Sequence, residues 1–225
     1  MKLLTKPTIA FLATFVVFSF ATSSAHATLM LRLSSPSQAT QTFTDNAGID
    51  NLSQTGALGI STSIGNFFIN VLTGLSYPTI GSQQFPNLDL NSVNVTSISG
   101  GGSITLELTD TGFTNSGILN LLTTIGGTTQ GSISWKTYAD TSNTAFGQAT
   151  LIAMGSSNGP GVNGSNNFVF NPGGSFSLTH VITVAHSALK VTSFDIITEV
   201  PEPAPLALLS LGLFIIGSYR LKTQV

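Results

Sequence analysis

Gly155-Ser156-Ser157-Asn158-Gly159 has the G-x-S-x-G spacing of a nucleophile elbow, in which a serine on a sharp strand-to-helix turn attacks an acyl carbon. That chemistry needs a helix after the turn and a Ser, acid, His order. Here Pro160-Gly161-Val162-Asn163-Gly164 follows, which cannot start a helix, and no Asp or Glu lies between Ser157 and His180. Ser157 therefore reads as a loop serine. The overlapping Gly159-Pro160-Gly161-Val162-Asn163-Gly164 fits G-x-G-x-x-G, yet a dinucleotide site needs a helix N-terminus aimed at the pyrophosphate. Ser165-Asn166-Asn167-Phe168 reads instead as loop, then strand.

His180 and His186 are the only histidines after position 27. Six residues apart on one strand, they share a face but stand about 20 Å apart, too far to chelate one metal. His180 shares its face with Phe176, Leu178 and Ile182, so a core histidine bonded to a backbone carbonyl is expected. His186, at the strand end, is expected in solvent. Asp45-Asn46-Ala47-Gly48-Ile49-Asp50-Asn51 reads as an Asx-rich turn. Asp45 and Asp50 are the residues a calcium ion would use there, although Ala47 and Ile49 break the alternation of a calcium loop. Glu107 with Asp110 or Asp140 is the carboxylate pairing that folding could assemble for glycoside chemistry. Trp135 and Tyr138 point to opposite faces of one strand, so they form no shared sugar platform. No catalytic set and no cofactor is expected.

The composition narrows the classes further. Of 225 residues, 41% are hydrophobic and 7% charged, against about 25% charged in ordinary domains. Without cysteine there is no disulfide framework, thiolate metal site or thiol catalysis. With 7 Lys+Arg against 9 Asp+Glu there is no basic surface to neutralise phosphates, so no nucleic-acid partner is expected. Residues 28–199 carry Arg32, Lys136 and Lys190 against eight acids, a net −5.

Both ends read as addresses. Met1-Lys2-Leu3-Leu4-Thr5-Lys6, the apolar run Ile9 to Phe20, and Ala25-His26-Ala27 form the three parts of a secretory signal. Ala25 and Ala27 supply the small side chains that signal peptidase admits, and the mature chain is expected to start at Thr28. At the other end Val200-Pro201-Glu202-Pro203-Ala204-Pro205 must be an extended spacer, because alternating prolines block helix and sheet. Leu206 to Tyr219 follow without a charge, then Arg220-Leu221-Lys222. As a helix, those apolar residues rise about 21 Å, short of a bilayer core of roughly 30 Å. A basic end of this kind stays on the cytoplasmic side.

Pro201-Glu202-Pro203, the apolar run and terminal Arg220 resemble the PEP-CTERM sorting signal of Gram-negative bacteria. Family members often end in a denser arginine cluster than Arg220 and Lys222 provide. The resemblance implies that an exosortase, a membrane protease or transpeptidase, processes the chain at this motif. It also implies transient anchoring in the inner membrane through the C-terminal helix, then a place at the outer surface or in an extracellular matrix with exopolysaccharide. The residues between the signals resemble uncharacterised ectodomains of such proteins, with no activity implied.

Between the signals, period-two alternation recurs. Ile104, Leu106 and Leu108 alternate with Ser103, Thr105, Glu107 and Thr109, and Ile133 and Trp135 with Ser132, Ser134 and Lys136. Residues 176–184 read as the longest strand. The 118–125 run has helical spacing, but its flanking Gly117 and Gly126 favour a strand. Glycine-rich turns separate these runs every 8–12 residues or so, the pattern of an antiparallel sandwich. The expectation is an all-β protein, an antiparallel β-sandwich of jelly-roll or Ig-like type. It comprises a signal peptide (1–27), an ectodomain (28–199) and a sorting signal with a hydrophobic C-terminal helix (200–225). The expected role is structural or adhesive, in a matrix or biofilm, and non-enzymatic; the alternative is a carbohydrate-binding module with a defined sugar site.

Overall fold

The computed structural model describes residues 28–36 and 38–201. They form β1 (Met30–Ser34), β2 (Gln41–Thr44), β3 (Ala57–Ile64), β4 (Phe67–Leu75), β5 (Asn87–Ser97) and β6 (Gly102–Asn115). Then follow β7 (Leu119–Thr129), β8 (Ser132–Asp140), β9 (Thr150–Ser157), β10 (Gly161–Phe170), β11 (Gly174–His186) and β12 (Val191–Glu199). Two six-stranded antiparallel sheets result, ordered β2-β1-β6-β11-β8-β9 (sheet A) and β10-β7-β12-β5-β4-β3 (sheet B). This is the all-β, sandwich-like architecture that the alternation predicts. The 118–125 segment is strand β7, hydrogen-bonded on both sides, to β10 and β12.

Alternation places one face of each strand between the sheets. Leu106, Leu108, Ile133, Trp135, Ile182 and Val184 from sheet A are buried there with Leu88, Leu90, Val93, Val95, Phe194 and Ile196 from sheet B. Fully burying each such side chain contributes about 1.5–3 kcal/mol against solvent. Phe176 stacks at 5.7 Å from Phe113 and 5.3 Å from Phe170, a cluster that fills one end of the gap.

Two features depart from simple alternation. The longest strand is β6, with 14 residues against 13 for β11, because β6 continues past a bulge opposite Phe176–Leu178. The outer face of sheet A is also partly covered. The loop joining β8 to β9 folds back over it, with Phe146 N–H donating to Thr109 Oγ1 at 3.1 Å and Ser177 Oγ to the Thr144 carbonyl at 2.8 Å. Arg32 caps the Phe146 ring at 4.0 Å and holds Glu107 at 2.5 Å. Thr109, Ser177 and Thr179, which strand parity alone would put in water, are therefore buried.

The register fixes which loops share an end. Met30 lies opposite Thr109, and Glu199 opposite Asn87. These two rows meet across the gap, because His180 bonds the Leu88 carbonyl and Ser76 bonds both Asp110 and the Asn87 carbonyl. Thr28 and Val200 consequently sit at one end of the sandwich. The turns at 65–66, 98–101, 130–131, 158–160 and 187–190 sit at the other.

Candidate functional site

Of the residues the sequence singles out for processing, Thr28 and Pro201 are exposed at the shared end. Val200 is half-buried against the core, its N–H donating to the Pro86 carbonyl at 3.3 Å. Ala25, Ala27, Glu202, Pro203 and Arg220, with the signal peptide and the C-terminal helix, lie outside the described residues. Among the described residues no helix is long and apolar enough to cross a membrane.

Asp45 and Asp50 act as turn formers. Asp45 accepts from Gly56 N–H at 2.7 Å and the Asn46 amide at 3.0 Å. Asp50 accepts from Leu52, Gly59 and Asn46 N–H at 2.9–3.0 Å. All four carboxylate oxygens thus face N–H donors, the Asx arrangement expected of the sequence. Among the described residues no group of three or more acids or histidines is placed to hold a metal ion.

The motif serine ends β9, at the turn that crosses to β10 in the other sheet, where Ser157 Oγ donates to the Gly161 carbonyl at 2.7 Å and accepts from Gly159 N–H at 3.3 Å. Ser165–Asn167 are strand, not loop, because β10 already starts at Gly161 and pairs with β7 along its whole length. The glycines have a packing reason. A Cβ at Gly155 or Gly164 would run into the buried Trp135 indole, at 2.6 Å in the case of Gly164. Tyr138 faces the opposite side and is half-buried, so the two rings stay apart. Glu107, Asp110 and Asp140 are each engaged separately: Glu107 with Arg32, Asp110 with Ser76 between the sheets, and Asp140 with Ser142 and Thr144 in its own loop.

His180 is the core histidine expected, 3.1 Å from the Leu88 carbonyl and 3.0 Å from Thr137 Oγ1. His186 corrects the expectation of a solvated side chain, being only 4% exposed. Strand parity points it between the sheets, where the Phe67 ring packs at 5.8 Å and the β11–β12 turn closes over it. Its Nδ1 lies 3.2 Å from Ser97 Oγ and its Nε2 2.8 Å from Thr192 Oγ1.

From His186 a buried polar chain runs to two surface turns. Thr192 meets Thr129 Oγ1 at 2.7 Å, and Thr129 accepts from Gly131 N–H at 3.1 Å. Ser97 Oγ donates to the Ala188 carbonyl and accepts from Lys190 N–H at 2.9 Å. Lys190 Nζ then reaches across to the Gln130 carbonyl at 2.6 Å. Together these bonds fix the 130–131 and 187–190 turns as two walls of an open groove of about 530 Å³. Asn158 and Pro160 in the β9–β10 turn form the third wall. The sequence marks the groove only as short breaks between alternating runs, since its walls come from three turns far apart in the chain, each crossing from one sheet to the other.

Sequence reading also misses a carboxylate group on the outer face of sheet B, formed by Asp89, Asp195 and Glu199 on neighbouring strands β5 and β12. Burial, then the charges of Asp195 and Glu199, push the Asp89 carboxyl up to about 6. The Asn87, Asp89, Asn91 alternation on β5 is the signal that would have placed it.

No family profile and no curated protein matches the chain. Among solved structures it is similar to a chain of infectious bursal disease virus, Gx strain, with 14% identity over 79% of this chain and a TM-score of 0.30. The match spans about half the length of the viral chain, 52%. A likeness this loose carries no functional argument.

Proposed function

We propose that the protein is exported, trimmed at both ends and displayed at the cell surface or in an extracellular matrix. There it has a structural or adhesive, non-enzymatic role beside exopolysaccharide. In this reading signal peptidase cuts before Thr28, and an exosortase acts at Val200-Pro201-Glu202-Pro203. The C-terminal apolar helix holds the chain in the inner membrane until then. The observation that supports it best is the placement of Thr28 and Val200 at one end of the sandwich. A chain tethered there turns its opposite end, with its turns, away from the membrane. The surface chemistry agrees: Asn163, Ser165 and Asn167 on β10 and Ser61 and Ser63 on β3 are exposed, offering hydrogen bonds to a hydrated polymer without charge.

The deciding experiment is the intact mass of the protein isolated from its native host. A chain that starts at Thr28 and is cleaved near Pro201 supports the reading. A chain running from Met1 to Val225 in the cytosol overturns it.

A further inference from the structure

The groove at the end remote from Thr28 and Val200 differs from the rest of the surface in three respects. First, its charge is opposite. The described residues carry a net −5, yet the turns at 65–66, 98–101, 130–131, 158–160 and 187–190 contain one ionisable side chain, that of Lys190. Its ammonium spends one donor on the Gln130 carbonyl and keeps two for a ligand. Second, its walls combine a 70%-exposed Leu189 and the Pro160 ring with the Asn158 amide, which makes no hydrogen bond in the structure. Third, it is preorganised. Turns are ordinarily the mobile parts of a sandwich, but here Lys190 and Gly131 are both tied to the buried Ser97–His186–Thr192–Thr129 chain. Holding the walls in place before binding lowers the ordering cost of a ligand.

We propose that this groove binds a carboxylated saccharide, a uronate unit of an acidic polysaccharide. The carboxylate pairs with Lys190 Nζ, the apolar face of the sugar ring lies on Leu189 and Pro160, and Asn158 bonds a ring hydroxyl. His186 acts as a positioning residue beneath the walls. The choice of a saccharide over another carboxylate rests on the surface reading above; the preference for an anion rests on Lys190 alone.

The probe is oligogalacturonate, titrated calorimetrically into the full chain in mild detergent, with maltodextrin of equal length as the neutral control. Oligogalacturonate should bind and maltodextrin should not, and the affinity should fall as salt rises from about 0.05 to 0.5 M. Lys190→Gln should weaken binding about three- to fivefold, the worth of one partly exposed ion pair, at unchanged melting temperature. Lys136→Gln, on the outer face of sheet A, should leave binding unchanged. No binding of oligogalacturonate, equal binding of maltodextrin, or equal loss from Lys136→Gln and Lys190→Gln overturns the proposal. Each of these results leaves the intact-mass test of export untouched, so the two readings fail separately.

Discussion

His180 and His186 stand six residues apart on the inner face of β11, both bridge to sheet B, and they carry their protons on opposite ring nitrogens. The Leu88 carbonyl only accepts, so His180 Nε2 must carry the hydrogen and Nδ1 accepts from Thr137 Oγ1. At His186 each hydroxyl has one proton to give. Ser97 spends its own on the Ala188 carbonyl and so accepts from Nδ1–H, leaving Nε2 to accept from Thr192. Nitrogen-15 NMR of the imidazoles should therefore show the Nε2–H form for His180 and the Nδ1–H form for His186. The same tautomer at both positions would refute this proton count.

Gly155 and Gly164 flank the Trp135 indole where β9 and β10 come together, and neither leaves room for a methyl group. Gly164→Ala should destabilise the protein by about 1–3 kcal/mol, the usual cost of overpacking a core. Gly159→Ala, two residues before β10 and open to solvent, should stay within about 0.5 kcal/mol of wild type. Urea midpoints of the two variants compare them directly; equal midpoints would mean that the indole moves aside at no cost.

These positions also show where the sequence is legible. Trp135 shares strand parity with Ile133, so its inward placing follows from period-two alternation alone, as does that of His180, whose buried ring nitrogens must then find partners. His186 follows the same parity, but its covering comes from Phe67 and the β11–β12 turn, 119 and a few residues away in sequence respectively. Alternation reports which face a side chain takes, not whether something distant closes over it. The same gap explains Thr109 and Thr179, buried by a loop that folds back over the outer face of sheet A. The groove around Lys190 is assembled from three sheet-to-sheet turns far apart in the chain, so no single stretch of sequence marks it.

Asp89 owes its raised pKa of about 6 first to burial and next to the charge of Asp195. Asp195→Asn keeps an acceptor for Ser92 N–H, bonded at 2.5 Å, while removing that charge. The Asp89 midpoint, followed by carboxyl carbon-13 shifts, should fall below its wild-type value yet stay above the ordinary 3.8, since burial remains. An unchanged midpoint would show that Asp195 is too well solvated to act on Asp89.

Asp110 and His180 lie in the same interior and oppose one another with pH. Burial pushes the Asp110 carboxyl up to about 7 from 3.8, and pushes His180 down to about 4 from 6.5. Ser76 Oγ lies 2.5 Å from Asp110 Oδ2 and 3.1 Å from the Asn87 carbonyl. One hydroxyl proton serves both contacts only when Asp110 is itself protonated and donates to Ser76. The folded state therefore holds the Asp110 proton more tightly than the unfolded chain. That stability is fully present below 3.8 and lost as pH rises through about 7, about 4 kcal/mol in all. The His180 contribution has the reverse sign: it is present above 6.5 and lost as pH falls through about 4, about 3 kcal/mol. Between roughly pH 4 and 6.5 the two slopes cancel. Asp89, also raised, and His186, pushed down by burial and by Lys190, oppose each other in the same way. Wild-type stability should thus be nearly flat across that window. Asp110→Asn keeps a donor for Ser76 but removes one slope, so the variant should gain stability steadily from pH 4 to 6.5, by up to about 3 kcal/mol. Urea midpoints against pH measure both profiles, and parallel curves for wild type and variant would mean that Asp110 is ionised throughout.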